Sequence, residues 1–477
     1  MIVLPKIFAA CFTLIFALLS SLGAVSPRRS AWALDLPFYE GGQIGKSVYL
    51  DGSGLCSDEF GPTGGESRMQ TVRFTTREQY DAYCETLAEA GCRTVYENTL
   101  GGVTCAAFRK EDKLYYTYFA ERKNEARIIE DNVTNCFEDF GCECPGDGAV
   151  VYQFDLPYLD HGERDDEALY SDNGMLYVIR LADNSVIVVD GGSIRQSSDR
   201  NVEECMKFLR RVTGTEPGEP VRVALWYGTH GHSDHVTFFY KLLGHYHDEI
   251  LLERVMFNYP SLSLVEHDGR VDMFRERLAQ LYPDVRYLCP HTGMSFPMGS
   301  VTVDVLYTHE DAVSASSGKT PVKNPNDGST VCRITAAGKR LLITGDVDLL
   351  AQDKLLALHH PRELKADVLQ APHHLYNNVA LLYRYADAAY VLCPMSEGHG
   401  KTLWGYQAAR LFYGKDQLLF AGDALYGVTL NANGLTISTD HTDCGPYDDS
   451  SMNEIRASAA DGFHAERSFF NLFTKST

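Results

Sequence analysis

The chain has 477 residues, 44% of them hydrophobic and 11% aromatic, enough apolar material for two or three packed domains and too much for a disordered protein. Its formal charge is −21, from 64 acidic against 43 basic side chains. Such a surface repels long polyanions, so no extended nucleic-acid surface is expected and the substrate is expected to be small.

The first elements concern targeting. Lys6 precedes an uncharged apolar stretch, Ile7 to Val25, followed by Arg28-Arg29 and the small-residue pair Ala31-x-Ala33. Residues 1–33 therefore read as a secretory signal peptide. The rival reading is an uncleaved anchor, because the stretch is just long enough to span a bilayer. The first reading puts the protein outside the cytoplasm; the second ties it to a membrane. Residues 34–46, with Gly41-Gly42, form a linker.

Residues 47–135 read as a small α+β unit. Met69–Phe74 is a strand, and Thr75 is placed to cap a helix through Tyr80, Tyr83 and Leu87, with Glu78 at capping-box spacing. Gly91 ends it, and strands follow near 93–96, 103–109, 113–120 and 126–130. Seven of the thirteen cysteines fall between Cys56 and Cys144, which in an exported segment predicts disulfides of undefined pairing. Asn132-Val133-Thr134 fits a glycosylation acceptor, and the acidic, Gly-containing run 138–148 is a natural boundary.

From residue 149 to about 440 strands alternate with amphipathic helices, which predicts an α/β sandwich of αββα type. Met175–Leu181 and Ser185–Asp190 flank Ala182-Asp183-Asn184 as a hairpin, and 202–212 is a helix by its apolar spacing. Val221–Tyr227 is a buried strand that opens into Thr229-His230-Gly231-His232-Ser233-Asp234-His235, with a helix beginning near Val236. Neutral imidazoles and a carboxylate are a ligand set for zinc, manganese or iron. His230 and His232 are two apart and point the same way in an extended loop, while Asp234 and His235 face a second point, so one loop can serve two cations.

Further ligands follow the same strand-to-loop pattern. Arg340–Ile343 leads to Gly345-Asp346, where Asp346 is a candidate bridging carboxylate and equally a candidate helix cap. Val368–Gln370 leads to Pro372-His373-His374, one histidine expected on the second cation and the other toward the substrate. A helix is expected at 403–413. Residues 441–477 are a polar tail ending in Phe469-Phe470-Asn471-Leu472-Phe473.

Val188-Val189-Asp190-Gly191-Gly192, the His230/His232/Asp234/His235 motif, Thr344-Gly345-Asp346 and Pro372-His373-His374 occur in an order that resembles the metallo-β-lactamase superfamily. Asn326-Asp327-Gly328-Ser329 and Gly398-His399 resemble most the branch of the ComEC-like hydrolase domains and phosphorylcholine esterases. The resemblance spans roughly 149–440. It implies that Asp190 orients the ligand histidines. One departure stands out: superfamily members often carry another histidine on the first cation, and the only candidate here, His309, lacks the usual setting.

The reading that follows is a hydrolase with two divalent cations, zinc foremost and manganese second. His230, His232, Asp234, His235, Asp346 and His373 are the expected ligands. Asp234, Asp346 and His399 are the expected catalytic groups, and Asn326, Ser329 and His374 the expected substrate contacts. The expected reaction is phosphoester hydrolysis. The alternatives are a lactamase- or esterase-type hydrolase, favoured if His309 is a ligand, and a silent binding protein on the same fold.

Overall fold

A computed structural model describes residues 31–50, 67–131, 135, 137–154, 174–193, 196–197, 199–259, 278–314, 325–376, 380–421 and 425–438. Most of the leader, the Asn132-Val133-Thr134 sequence, Cys56, Cys136 and the tail lie outside these residues. Among the described residues no helix is long and apolar enough to cross a membrane.

The first sheet contains β1 (Gln43–Ile44), β2 (Val48–Tyr49), β3 (Arg68–Arg73), β4 (Arg93–Leu100), β5 (Val103–Lys110), β6 (Lys113–Ala120) and β7 (Glu125–Asp131), in order β1-β3-β7-β6-β5-β4 with β2 on β3. Alternation along β6 explains its apolar run. Tyr115 and Phe119 face the helix Arg77–Glu89, while Leu114, Tyr116, Tyr118 and Ala120 face the opposite way into the main core. Both faces are buried, so no polar period is needed.

That helix is capped by Thr76, with Gln79 completing the capping box, one residue later than the expected Thr75/Glu78 pair. Thr75 is drawn off by packing: its hydroxyl lies 2.8 Å from the Tyr39 hydroxyl. Among the described residues no disulfide forms; Cys84, Cys92, Cys105, Cys142 and Cys144 are free. The first sheet separates them. Cys84, on the helix, and Cys92, just after it, pack on one face, and Cys105 lies on the opposite face, its thiol 3.2 Å from the Gly293 carbonyl.

The rest is a sandwich of two mixed sheets. One comprises β9 (Ala149–Gln153), β10 (Leu176–Arg180), β11 (Val186–Asp190), β12 (Val221–Gly228), β13 (Ile250–Leu252), β14 (Arg254–Phe257), β15 (Arg286–Leu288), β23 (Tyr426–Asn431) and β24 (Gly434–Ser438). Its order is β15-β14-β12-β11-β10-β9-β23-β24, with β13 on β12. The other runs β22-β21-β20-β19-β18-β17-β16-β8. Its strands are β8 (Cys142–Glu143), β16 (Ser295–Gly299), β17 (Val301–Tyr307), β18 (Val331–Ala336), β19 (Lys339–Ile343), β20 (Val368–Gln370), β21 (Tyr390–Cys393) and β22 (Leu418–Phe420). β8 lies in the stretch expected to be a boundary loop and instead adds an edge strand to this sheet.

Inner faces of the two sheets meet in one core, where Ile187, Val189, Leu225 and Tyr227 join Val305, Ile334, Leu341, Ile343 and Leu392. The helices Asp199–Thr213 and Ser233–His245 cover the outside of the first. Leu349–Leu358, Ala380–Ala386 and Trp404–Ala409 cover the outside of the second. The layers are therefore α, β, β, α, with the small α+β sheet sharing the central core.

β11 runs parallel to β12, and β19 parallel to β20. Their carboxyl ends thus open at matching edges, where loops of open α/β sheets place ligands. The motif-bearing strands β11, β12, β19 and β20 all deliver their loops there.

Candidate metal centre

The site is built outward from Asp190. It ends β11 with φ 58 and is wholly buried. Its Oδ1 accepts from the Thr229 amide at 2.7 Å, and its Oδ2 accepts from the Thr229 hydroxyl at 2.8 Å. The same Oδ2 lies 2.6 Å from His235 Nδ1. Burial raises the Asp190 carboxyl above the usual range, against the opposing pull of His235 and Thr229. Glycine follows because the helix sits tightly here: a Cβ on Gly191 would stand 2.8 Å from the Phe239 Cβ. That helix begins at Ser233, so Asp234 and His235 occupy its first turn.

Three imidazoles are fixed by what their Nδ1 atoms meet. His235 Nδ1 donates to Asp190, and His374 Nδ1 donates to the Pro394 carbonyl at 3.2 Å. His230 Nδ1 donates to the Thr229 hydroxyl at 3.1 Å, since that hydroxyl spends its own proton on Asp190. Each ring thereby turns its Nε2 toward the centre, the arrangement that orients metal-ligand histidines, and His235 Nε2 lies 3.2 Å from His374 Nε2.

Those Nε2 atoms converge on one carboxylate. Asp346 Oδ2 lies 3.2 Å from His235 Nε2, 3.4 Å from His374 Nε2, and 4.0 Å from the Nε2 atoms of both His230 and His373. Asp234 Oδ2 is 3.7 Å from His235 Nε2 and 3.8 Å from His374 Nε2. The donor atoms of Asp234, His235, Asp346 and His374 all lie within 4.8 Å of one another. His232 Nδ1 stands 3.0 Å from His230 Nε2.

Asp346 is held by its backbone. Gly345 has φ 57 and packs on Thr229, and the Asp346 amide donates to the Ser329 hydroxyl at 3.1 Å. Asp346 caps no helix: Asp348 does so, accepting from the Leu349 amide at 2.8 Å. Asp346 Oδ1 is buried without a hydrogen-bond partner.

The electrostatics follow from these contacts. Burial pulls His235 down, but the Asp346, Asp190 and Asp234 carboxylates outweigh it and hold the ring well above its ordinary value. His374 is pushed up to about 8 by Asp346 against the penalty of burial. His230 is held well below its ordinary value by burial and by His235 and His232. Asp346 lies well below the carboxylate range because His235 and His374 outweigh its burial. Imidazole nitrogens and carboxylates converge with an unpartnered carboxylate oxygen among them, and a buried cluster of that kind can hold cations. The donor set of imidazole nitrogen and carboxylate oxygen fits zinc or manganese.

The remaining candidates divide by depth. Ser329 is wholly buried behind the cluster and positions Asp346, with no face toward a substrate. His374, expected to face the substrate, is the member of its pair inside the four-donor group. His373 lies outside it, with Nε2 3.0 Å from the Asn326 side-chain nitrogen. His399 Nε2 lies 3.3 Å from the Tyr376 hydroxyl, and the Tyr376 ring lies beside that of His373. His309 turns to Asn258, with Nε2 2.8 Å from Oδ1, and no ion pair among the described residues joins it to the cluster. Sequence reasoning passed over Thr229, which adjoins the motif and was there to be read, and Tyr376 and the Pro394 carbonyl, which carry no local signal.

No protein-family profile matches the chain, and no curated protein matches it. Comparison of folds finds the metallo-β-lactamase fold protein YhfI of Bacillus subtilis, at 12% identity and TM-score 0.36, over 57% of this chain and 95% of that one. The short form of human tRNase Z is 13% identical with TM-score 0.28, over 51% and 90%. CmlA, a diiron β-hydroxylase from Streptomyces venezuelae, is 11% identical with TM-score 0.31, over 64% and 55%, so the match spans little more than half of that protein. The chain's own layers and strand order define its class: an α/β protein built as an αββα sandwich. Its edge carries a candidate metal-binding cluster.

Proposed function

We propose that the protein is a metal-dependent hydrolase that acts on small phosphoesters outside the cytoplasm. The observation that carries this reading is the convergence of Asp234, His235, Asp346 and His374 around an unpartnered Asp346 oxygen. Asp234, His235, Asp346 and His374 would hold one cation, and His230 and His232, sharing Asp346, would hold a second. Divalent cations there supply an activated water at neutral pH and polarise the oxygen of the electrophile.

The chain's own groups do the rest. Asp234 and Asp346 accept hydrogen bonds from the attacking water and aim it. Asn326, at the edge of the cluster, offers its amide to a substrate oxygen. His399, steadied by Tyr376, is the group to hold a proton for the leaving oxygen. Supporting phosphoesters over lactams is the position of His309, engaged by Asn258 rather than by the cluster. The net charge of −21 favours a small substrate over a polynucleotide. The leader, read as a cleaved signal peptide, supports a location across the membrane.

The test is metal quantification with activity, on the full chain and on Asp346→Ala. The substrates are bis-p-nitrophenyl phosphate, p-nitrophenylphosphorylcholine and nitrocefin, each with zinc or manganese. Two cations per chain and phosphoester cleavage that vanishes in Asp346→Ala are expected. Turnover of nitrocefin alone moves the function to amide hydrolysis. Folded protein with neither cation nor turnover makes this a binding protein.

A further inference from the structure

His373 and His374 both adopt left-handed backbone, at φ 44, ψ 52 and φ 44, ψ 35, and Leu375 continues it at φ 66. Residues with a Cβ avoid this region, so three in a row without glycine persist only where surrounding contacts impose them. Successive side chains in a helical turn diverge by about 100°, so adjacent histidines here leave the backbone in different directions. Both nonetheless reach the same carboxylate. Asp346 Oδ2 has two near imidazoles, His235 at 3.2 Å and His374 at 3.4 Å, and two far ones, His230 and His373, each at 4.0 Å.

Resting on the metal reading above, the geometry points to a split of the pair: His374 completes the Asp234/His235 cation site, and His373 completes the His230/His232 site. Asp346 is common to both. Among the described residues the second half otherwise has His230, His232 and the shared carboxylate, since His309 is spent on Asn258. His373 Nε2 stands at the same 4.0 Å from Asp346 Oδ2 as His230 Nε2. The Asn326 side-chain nitrogen, 3.0 Å from that Nε2, holds the ring in place, and a cation would displace this contact. One strained turn thus replaces the ligand that the loop before Asp346 does not supply, and a single residue step separates the two sites.

Cation stoichiometry tests this without reference to turnover. The full chain, His373→Gln, His374→Gln and His399→Ala would be loaded with manganese, and bound metal and the paramagnetic resonance spectrum recorded, with thermal melting as the check on folding. The expected result is two spin-coupled ions in the wild type and in His399→Ala, and one uncoupled ion in His373→Gln. Affinity for the lost ion is expected to fall at least a hundredfold. His374→Gln is expected to lose the other ion. Two coupled ions of unchanged affinity in folded His373→Gln would overturn the assignment. So would a wild type that binds only one ion, with the four-donor site still standing. A wild type that binds none removes the metal reading itself, and the assignment with it.

Discussion

Among the described residues, two buried clusters that join histidine to more than one carboxylate differ in what they leave unpaired. At the seam between the small sheet and the sandwich, His291 sits with Nδ1 2.6 Å from Glu310 Oε1 and Nε2 3.2 Å from Asp131 Oδ2. Glu310 also accepts from the Asn258 amide and the Thr308 hydroxyl, and Asp131 accepts from Ser67. Every proton there has a destination, and the ring is an imidazolium between two anions. At the sheet edge, four imidazoles face one carboxylate, and Asp346 Oδ1 is left without a hydrogen-bond partner. Residue type does not separate a structural cluster from a candidate metal centre. The buried polar atom left without a partner does.

The largest effect expected from breaking this contrast is on stability. His291→Ala leaves Asp131 and Glu310 buried without their cation, which costs about 3–5 kcal/mol. Denaturant unfolding measures it, and cation binding at the edge is expected to survive in whatever fraction stays folded. Equal loss of metal and stability would show the two clusters to be one unit.

A pH series sharpens the same point. Burial lowers His291, but Glu310 and Asp131 raise it further, to about 10. A folded value above the unfolded one, about 6.5, means the contribution is complete below pH 6.5 and declines as pH rises, gone beyond about 10. The stability gap between wild type and His291→Gln should therefore narrow from pH 7 to pH 10 in urea titrations. A gap that widens would show that the ring is neutral in the fold.

At the edge, Asp190→Asn removes the acceptor that holds the His235 Nδ1 proton. Cation affinity is expected to fall 10- to 100-fold, as for other orienting groups, in calorimetric titration with zinc. An unchanged affinity would mean that the ring is oriented by packing alone. The smallest effect is expected from His399→Ala. It should slow esters with poor leaving groups more than p-nitrophenyl esters while both cations stay bound, and an equal slowing of the two would remove it as proton donor.

The centre was legible in the sequence where its chemistry is local. His230, His232, Asp234 and His235 share one loop, and Asp346 follows a buried strand directly, so spacing alone brings them forward. The division between His373 and His374 was not legible, because the left-handed turn that parts them has no glycine to mark it. Ser329 looked like a substrate contact because a hydroxyl near a site has no visible depth in a sequence. Among the described residues the expected disulfides do not form, and Cys105 lies across the first sheet from Cys84 and Cys92, a separation that numbering does not show. The alternating layers were readable from periodicity, whereas the capping of the first helix shifted by one residue because Tyr39, far back in the chain, claims Thr75.

Arg127, on β7, donates through its guanidinium to the carbonyls of Glu310 and Val313. The first-made part of the chain thus grips a segment made much later. β4 to β7 pair as consecutive antiparallel neighbours, a local topology that forms quickly. Their Tyr116 and Tyr118 face has nothing to rest on until Thr292 and Asp311 have left the ribosome. From residue 131 to residue 311 the nascent protein therefore carries a finished sheet with an uncovered aromatic side, a surface prone to aggregation until its cover is made.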